Sequence, residues 1–179
     1  MRIQAVSIPF VHLRVHSEYS LSDSIVRIQD LVGAAKARGM PAVALTDLAN
    51  LFGIVKFYRE AVAGGIKPVI GADVYLENAS DPNKPFRLLL LCQSLEGYRA
   101  LCRLLTRAYM EGQHSGRPCL EKSWFKGAVP GLIALSGAEE GDIGQALLAG
   151  NPALAEGLAR GYRELFPGRF YVELQRTGH

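Results

Sequence analysis

The chain has 179 residues, 49% of them apolar, which is enough to bury one sizeable core and excludes a disordered chain. Its net charge of +3 comes from 20 basic against 17 acidic residues, so composition argues neither for nor against nucleic acid. The three cysteines, Cys92, Cys102 and Cys119, lack CxxC spacing and fit idle thiols in a reducing cytoplasm, not a zinc site. No apolar run reaches the ~18 residues of a membrane span and the first ten residues lack a signal segment, so a cytoplasmic protein with no membrane partner is expected.

Short apolar runs alternate with helical periodicity, the sequence form of repeated strand–helix units. Residues 10–15 read as strand one. Residues 24–38 place Ile25, Ile28, Leu31, Val32 and Ala35 on one helical face, with Ser24 as N-cap and Gly39 just past the end. Pro41 introduces strand two at 42–45, and 51–63 form a second amphipathic helix stopped by Gly64 and Gly65. Strand three covers 67–76 and strand four 86–92. Only the turn-rich residues 77–85 separate them, which is short for a parallel crossover and predicts a hairpin. Ser94 caps a long helix running to Gly112, with Leu95, Tyr98, Leu101, Leu105 and Ala108 on one face. A loop holding Gly116 and Pro118 leads to strand five at 131–135, helices at 142–149 and 152–166, and strand six at 170–174. Six strands with interposed helices favour a TIM-like α/β barrel over an open sheet, and a chain ending directly behind a strand reads as truncated.

In a barrel of parallel strands the functional side chains come from loops behind the strands' C-terminal ends. His16 follows strand one, Asp23 lies in the loop before the first helix, Asp47 follows strand two and Asp73 lies late in strand three. Three carboxylates and a histidine at one rim can bind divalent metal and activate water for phosphoester hydrolysis. The same residue types serve equally as caps and turn formers through local hydrogen bonds. Spacing leaves both readings open, because the chain has no ligand pair as tight as HExxH.

The strings FVHLRVHSEYS at 10–20, ALTDLANLFG at 44–53, GIKPVIGAD at 65–73 and GLIALSG at 131–137 together resemble the N-terminal PHP (polymerase and histidinol phosphatase) domain of bacterial replicative DNA polymerase III α subunits. The resemblance covers nearly the whole chain. It implies a distorted, seven-stranded TIM-like barrel that lacks its last strand here, with residues 1–179 forming a C-terminally truncated PHP domain. It also implies that the polymerase's palm, fingers and DNA-contacting regions are absent, so that the fragment does not synthesise DNA.

Carried over residue by residue, the family's metal pattern is damaged. Its first motif is His-x-His, and Arg14 stands in the first place with His16 in the second. Asp23 is retained. The Asp-His of the second motif becomes Asp47-Leu48, and the glutamate ending strand three is matched by the shorter Asp73. Arg87 replaces the histidine opening strand four, Ser136-Gly137-Ala138 replaces Ser-Gly-Cys, and Arg176-Thr177-Gly178 stands for the later Asn-His-Gly. The resemblance therefore implies a remnant pocket of His16, Asp23, Asp47 and Asp73, with ligand positions replaced at Arg14, Leu48, Arg87, Ala138 and Thr177. A site so depleted loses metal affinity and fixed geometry. No metal or other cofactor is expected, apart from whatever weak divalent-metal affinity the surviving carboxylates retain.

Arg14 and Arg87 are expected to neutralise Asp23, Asp47 and Asp73 where metal once did. His12 reads as a satisfied structural histidine, while His114 and His179 read as solvent-facing. Trp124 and Phe125 read as core, and Arg103, Arg107 and Arg117 as a solvated face, so no direct nucleic-acid site is evident. The resemblance implies a catalytically silent scaffold in DNA replication, partnered by the remainder of the α chain and docking the proofreading exonuclease subunit. The rival readings are an active metal-dependent phosphoesterase, acting as a 3′–5′ exonuclease or pyrophosphatase, and a free-standing PHP hydrolase.

Overall fold

A computed structural model describes residues 10–127 and 129–175. Helix α1 spans Ile28–Ala37, and the short strand β1, Ala42–Leu45, is buried throughout. Helix α2, Ile54–Gly64, ends on Gly65 at φ 73°, a left-handed conformation that costs glycine little. Strand β2, Lys67–Leu76, then turns back into β3, Phe86–Cys92, with Asp73 opposite Leu89 and Tyr75 opposite Arg87. This pairing is antiparallel, as the short 77–85 connection requires.

Helix α3, Leu95–Glu111, starts on Ser94, whose hydroxyl accepts the Gly97 N–H at 3.2 Å. Strands β4, Gln113–His114, and β5, Arg117–Leu120, follow, then β6, Leu132–Leu135, α4, Asp142–Leu148, α5, Pro152–Leu165, and β7, Phe170–Tyr171. The strand order is β4-β5-β2-β3-β6-β7, with β1 parallel to the first half of β2. The architecture is mixed α/β with a seven-stranded sheet. Expected closure into a TIM-like barrel is not found among the described residues: the sheet runs open from β4 to β7 and mixes parallel and antiparallel pairs.

Both sheet faces are covered, and β3 shows how. Leu88 and Leu90 point into the main core with α3, α4 and α5, whereas Leu89 and Leu91 join Ala44 and Leu135 on the other face. A strand buried on both faces reads as an unbroken apolar run. On β2, Ala72, Val74 and Leu76 belong to the main core, so Asp73 and Tyr75 lie on the opposite face with Arg87.

Several expected boundaries move for local reasons. Residues 10–15 form no ladder strand, although the His12 and Val15 carbonyls accept the Ala44 and Thr46 N–H groups at 2.9 and 2.8 Å. Helix α1 begins at Ile28 because the Ser24 hydroxyl donates to the His16 carbonyl at 2.8 Å and caps no helix, which leaves Ile25 exposed. The loop around Pro118 contains β4 and β5, whose pairing is two residues long. Trp124 and Phe125 are buried and His114 is exposed. His179 lies outside the described residues.

Gly97 fixes how closely α3 approaches the β6 entry. A Cβ there would lie 1.8 Å from the Gly131 carbonyl oxygen, an atom that also accepts the Gln93 N–H. Because the obstruction is backbone, Gly97→Ala should destabilise the domain by roughly 3 kcal/mol, the upper end of overpacking effects. Urea melts measure it, and a loss below about 0.5 kcal/mol would contradict this packing.

Candidate functional site

The segment before β1 delivers the site's cationic side chains. Val15 is pinned on both sides by Thr46, whose Oγ1 accepts the Val15 N–H at 2.9 Å and donates to the Val15 carbonyl at 3.1 Å. In an extended segment residues two apart share a face, so Arg14 and His16 project together towards Asp73. His12, one step earlier, is exposed with its ring edge-on to Phe10 at 4.8 Å. The histidine expected to be a satisfied structural one is thus solvent-exposed.

Asp73 is fully buried, and three donors converge on its Oδ2: Arg14 Nε at 2.9 Å, Arg14 Nη2 at 2.6 Å and His16 Nε2 at 3.0 Å. Arg14 does not grip both oxygens of one carboxylate, because its Nη2 also donates to Glu140 Oε2 at 2.8 Å. Its Nη1 faces Glu173 Oε1 at 3.5 Å. Arg87 lies 3.8 Å from Asp73 Oδ1, 3.9 Å from Asp23 Oδ2 and 3.8 Å from Glu140 Oε1, so these contacts are coulombic and not hydrogen bonds. The Tyr75 ring, centred 4.9 Å from its guanidinium carbon, backs Arg87.

His16 is held at both ring nitrogens, Nε2 against Asp73 and Nδ1 against Asp23. Only the imidazolium donates from both nitrogens, so the geometry selects the charged ring. Burial opposes that charge, but the bonds to Asp73 and Asp23 outweigh it and raise the His16 pKa above its ordinary 6.5. Burial likewise opposes ionisation of Asp73, yet His16, Arg14 and Arg87 together hold its pKa below the ordinary 3.8. Arg14 resists burial in the same way, since Asp73, Glu173 and Glu140 raise its pKa.

Asp47 stands apart from this cluster. It accepts the Ser17 N–H at 2.6 Å and the hydroxyls of Ser17 and Ser20 at 2.8 and 2.7 Å, all buried. The expected arginine compensation therefore applies to Asp23 and Asp73 but not to Asp47. Leu48 is half-buried, donates its N–H to Ser20 Oγ at 3.0 Å and bridges to Asp73 through backbone. Ala138 lies in the turn that carries Glu140, and Arg176 and Thr177 lie outside the described residues.

Glu140 and Glu173 are site residues that sequence reasoning missed. Glu140 reaches Arg14 because Gly137, at φ 75°, lets the turn pass the Arg87 carbonyl, where a Cβ would lie 2.3 Å from the oxygen. No local pattern announces that contact. Glu173 obeys the rule for late-strand residues applied to His16 and Asp73, and its N–H donates to Ser136 Oγ at 3.0 Å.

The cavity bounded by Arg14, His16, Asp23, Arg87, Glu140 and Gln175 encloses about 420 Å³. The guanidinium groups of Arg14 and Arg87 on its wall cannot ligate a metal, and Arg14 and His16 already bond to Asp73 Oδ2. Among the described residues no group of three or more His, Cys, Asp or Glu side chains is arranged to hold one.

The chain belongs to the PHP domain family, whose model matches residues 12–177. It is 52% identical over 169 residues to the DNA polymerase III subunit alpha of Pseudomonas fluorescens, covering 94% of this chain and 14% of that one. The corresponding figures for the subunit alpha of Escherichia coli K12 are 43%, 94% and 15%. The chain thus spans about one seventh of the length of these relatives. Among solved structures, an amidohydrolase from Chromobacterium violaceum is 22% identical with a TM-score of 0.45, covering 56% of this chain and 33% of that one. No helix among the described residues is long and apolar enough to cross a membrane.

Two outcomes follow from the buried charges. Arg14 retains 13% side-chain exposure and Asp73 none, so Arg14→Ala should cost roughly 3–5 kcal/mol in denaturant melts, with Arg14→Lys losing less. A loss under about 1 kcal/mol would show that the pair behaves as an exposed one.

The second concerns pH. His16, whose pKa is raised, contributes stability that is fully present below 6.5 and is lost as pH rises through the native value. Asp73, whose pKa is lowered, contributes above 3.8 and loses that contribution as pH falls through its native value. The melting temperature should therefore decline on the alkaline side from about pH 6.5, and His16→Gln should remove that decline. An identical alkaline profile for the variant would contradict the charged ring.

Proposed function

We propose that this PHP domain forms part of a cytoplasmic DNA polymerase III α-type chain, works in DNA replication and serves there as a non-catalytic scaffold. In this reading the metal site is degenerate, and His16, Asp23, Asp47 and Asp73 are its remnant. Arg14 and Arg87 supply the positive charge once given by metal, and the sheet belongs to a TIM-like PHP barrel. The domain docks the proofreading exonuclease subunit beside the polymerase site.

The observation that carries the reading is the occupation of Asp73 Oδ2 by Arg14 and His16, in a pocket where a second arginine faces the remaining carboxylates. A tethered guanidinium fills the position of a cation without supplying a bound water to activate. The replicative setting is supported by 42–52% identity to polymerase III alpha subunits over nearly all of this chain.

Two measurements on the full-length chain test the two halves of the proposal. After dialysis, elemental analysis should find well below one zinc or manganese per chain at this domain, with no chelator-sensitive phosphodiester hydrolysis assigned to it. Near-unit metal with such activity would return the phosphoesterase reading. Deleting residues 1–179 should abolish or sharply weaken association with the exonuclease subunit, and undiminished association would refute docking through this domain.

A further inference from the structure

Helix α3 carries Arg99, Arg103 and Arg107 at four-residue spacing, so the three follow one another along the helix in steps of about 6 Å. All three are exposed, while Leu101, Leu104, Leu105 and Ala108 on the other side of the helix lie in the main core. Arg107 is held in place: its guanidinium carbon lies 4.1 Å from the Trp124 ring centroid, and its Nε donates to Glu111 at 2.7 Å. Arg99 and Arg103 make no ion pair among the described residues, and the other carboxylate on this helix, Glu96, is in its first turn. Arg117, grouped with these residues by sequence, is elsewhere, donating to the Asn83 carbonyl at 2.8 Å.

The type of residue indicates the type of ligand. Guanidinium forks match phosphate oxygens, and Thr106 adds an exposed hydroxyl to the same face. The exposed apolar side chains of α3, Leu95 before the stripe and Tyr109 and Met110 after it, stand at its two ends, so its middle is cationic. Trp124, the aromatic ring beneath Arg107, is buried and offers no platform for a base. We propose that the Arg99–Arg103–Arg107 stripe of α3 binds the phosphodiester backbone of nucleic acid without reading its sequence. The choice of DNA as that nucleic acid rests on the replicative setting proposed above. The helix that carries the stripe packs on the main core, across the sheet from the Arg14–Asp73 pocket, and the stripe is independent of that pocket.

The test uses the full-length chain, with a short fluorescent DNA duplex and the corresponding single strand as probes in a salt titration of binding anisotropy. The Arg99→Ala/Arg103→Ala double variant should bind roughly tenfold more weakly at low salt, and its log–log salt slope should fall by about 2, one for each lost phosphate contact. The loss should be the same for unrelated sequences, and Arg99→Lys/Arg103→Lys should restore most of the affinity. Weakening on the duplex alone would assign the stripe to paired DNA, and on both probes to the backbone in general. Unchanged affinity and slope on both probes would overturn the proposal, as would a loss confined to one sequence. Lost association with the exonuclease subunit while DNA binding is unaffected would make the stripe a protein surface and also overturn it. Both variants keep the domain in place, so these outcomes are read separately from the deletion of residues 1–179.

Discussion

A carboxylate with no solvent exposure must be paired, coordinated, protonated or saturated with hydrogen bonds, and at Asp73 the protein pairs it. Much of the local architecture serves that one charge. The segment before β1 has to be extended and clamped by Thr46 so that Arg14 and His16 share a face. Strand β3 has to run antiparallel beside β2 in a register that sets Arg87 opposite Tyr75, two residues beyond Asp73. The turn behind β6 has to pass close to the Arg87 backbone to bring Glu140 to Arg14.

Asp47 shows that the same fold buries a carboxylate in a second way. Its partners are one N–H and two serine hydroxyls, and among the described residues no cation approaches it within ion-pairing distance. Hydrogen bonds to an ionised group are about twice as strong as neutral ones, so several together hold the charge without a counter-ion. The arrangement also fixes the Ser17–Ser20 turn, and with it the path of the chain towards Asp23. The residues that look from sequence like one acidic cluster are therefore held by two separate sets of side-chain partners.

The sequence was most legible where burial alone decides. Residues 42–45, 67–76 and 86–92 are apolar runs bounded by Pro41, Gly65, Pro85 and Ser94, and the strands coincide with them. Legibility failed where a side chain had a tertiary use. Ser24 has the chemistry of an N-cap, but its hydroxyl is committed to the His16 carbonyl, so α1 begins later. The first strand was misread because its backbone bonds alternate with side-chain bonds to Thr46 and form no ladder. At the site, Arg14, His16, Asp23, Asp73 and Arg87 converge from motifs that sequence could align. Glu140 was invisible because a glycine turn, and no periodic pattern, carries it there.

On the scaffold reading, tethered cations stand where an ion would, and this changes how the pocket can respond. A metal ion leaves when its ligands go, and the remaining carboxylates can then protonate or turn to water. A guanidinium cannot leave. Arg14 touches Asp73, Glu140 and Glu173, while Arg87 faces Asp23, Asp73 and Glu140, so the two arginines share carboxylates. Removing any member strands a charge on another, and the energies of the members are coupled and not additive. On the scaffold reading, this coupling explains why acidic residues persist in a pocket without metal chemistry: they are held there as counter-charges to the arginines.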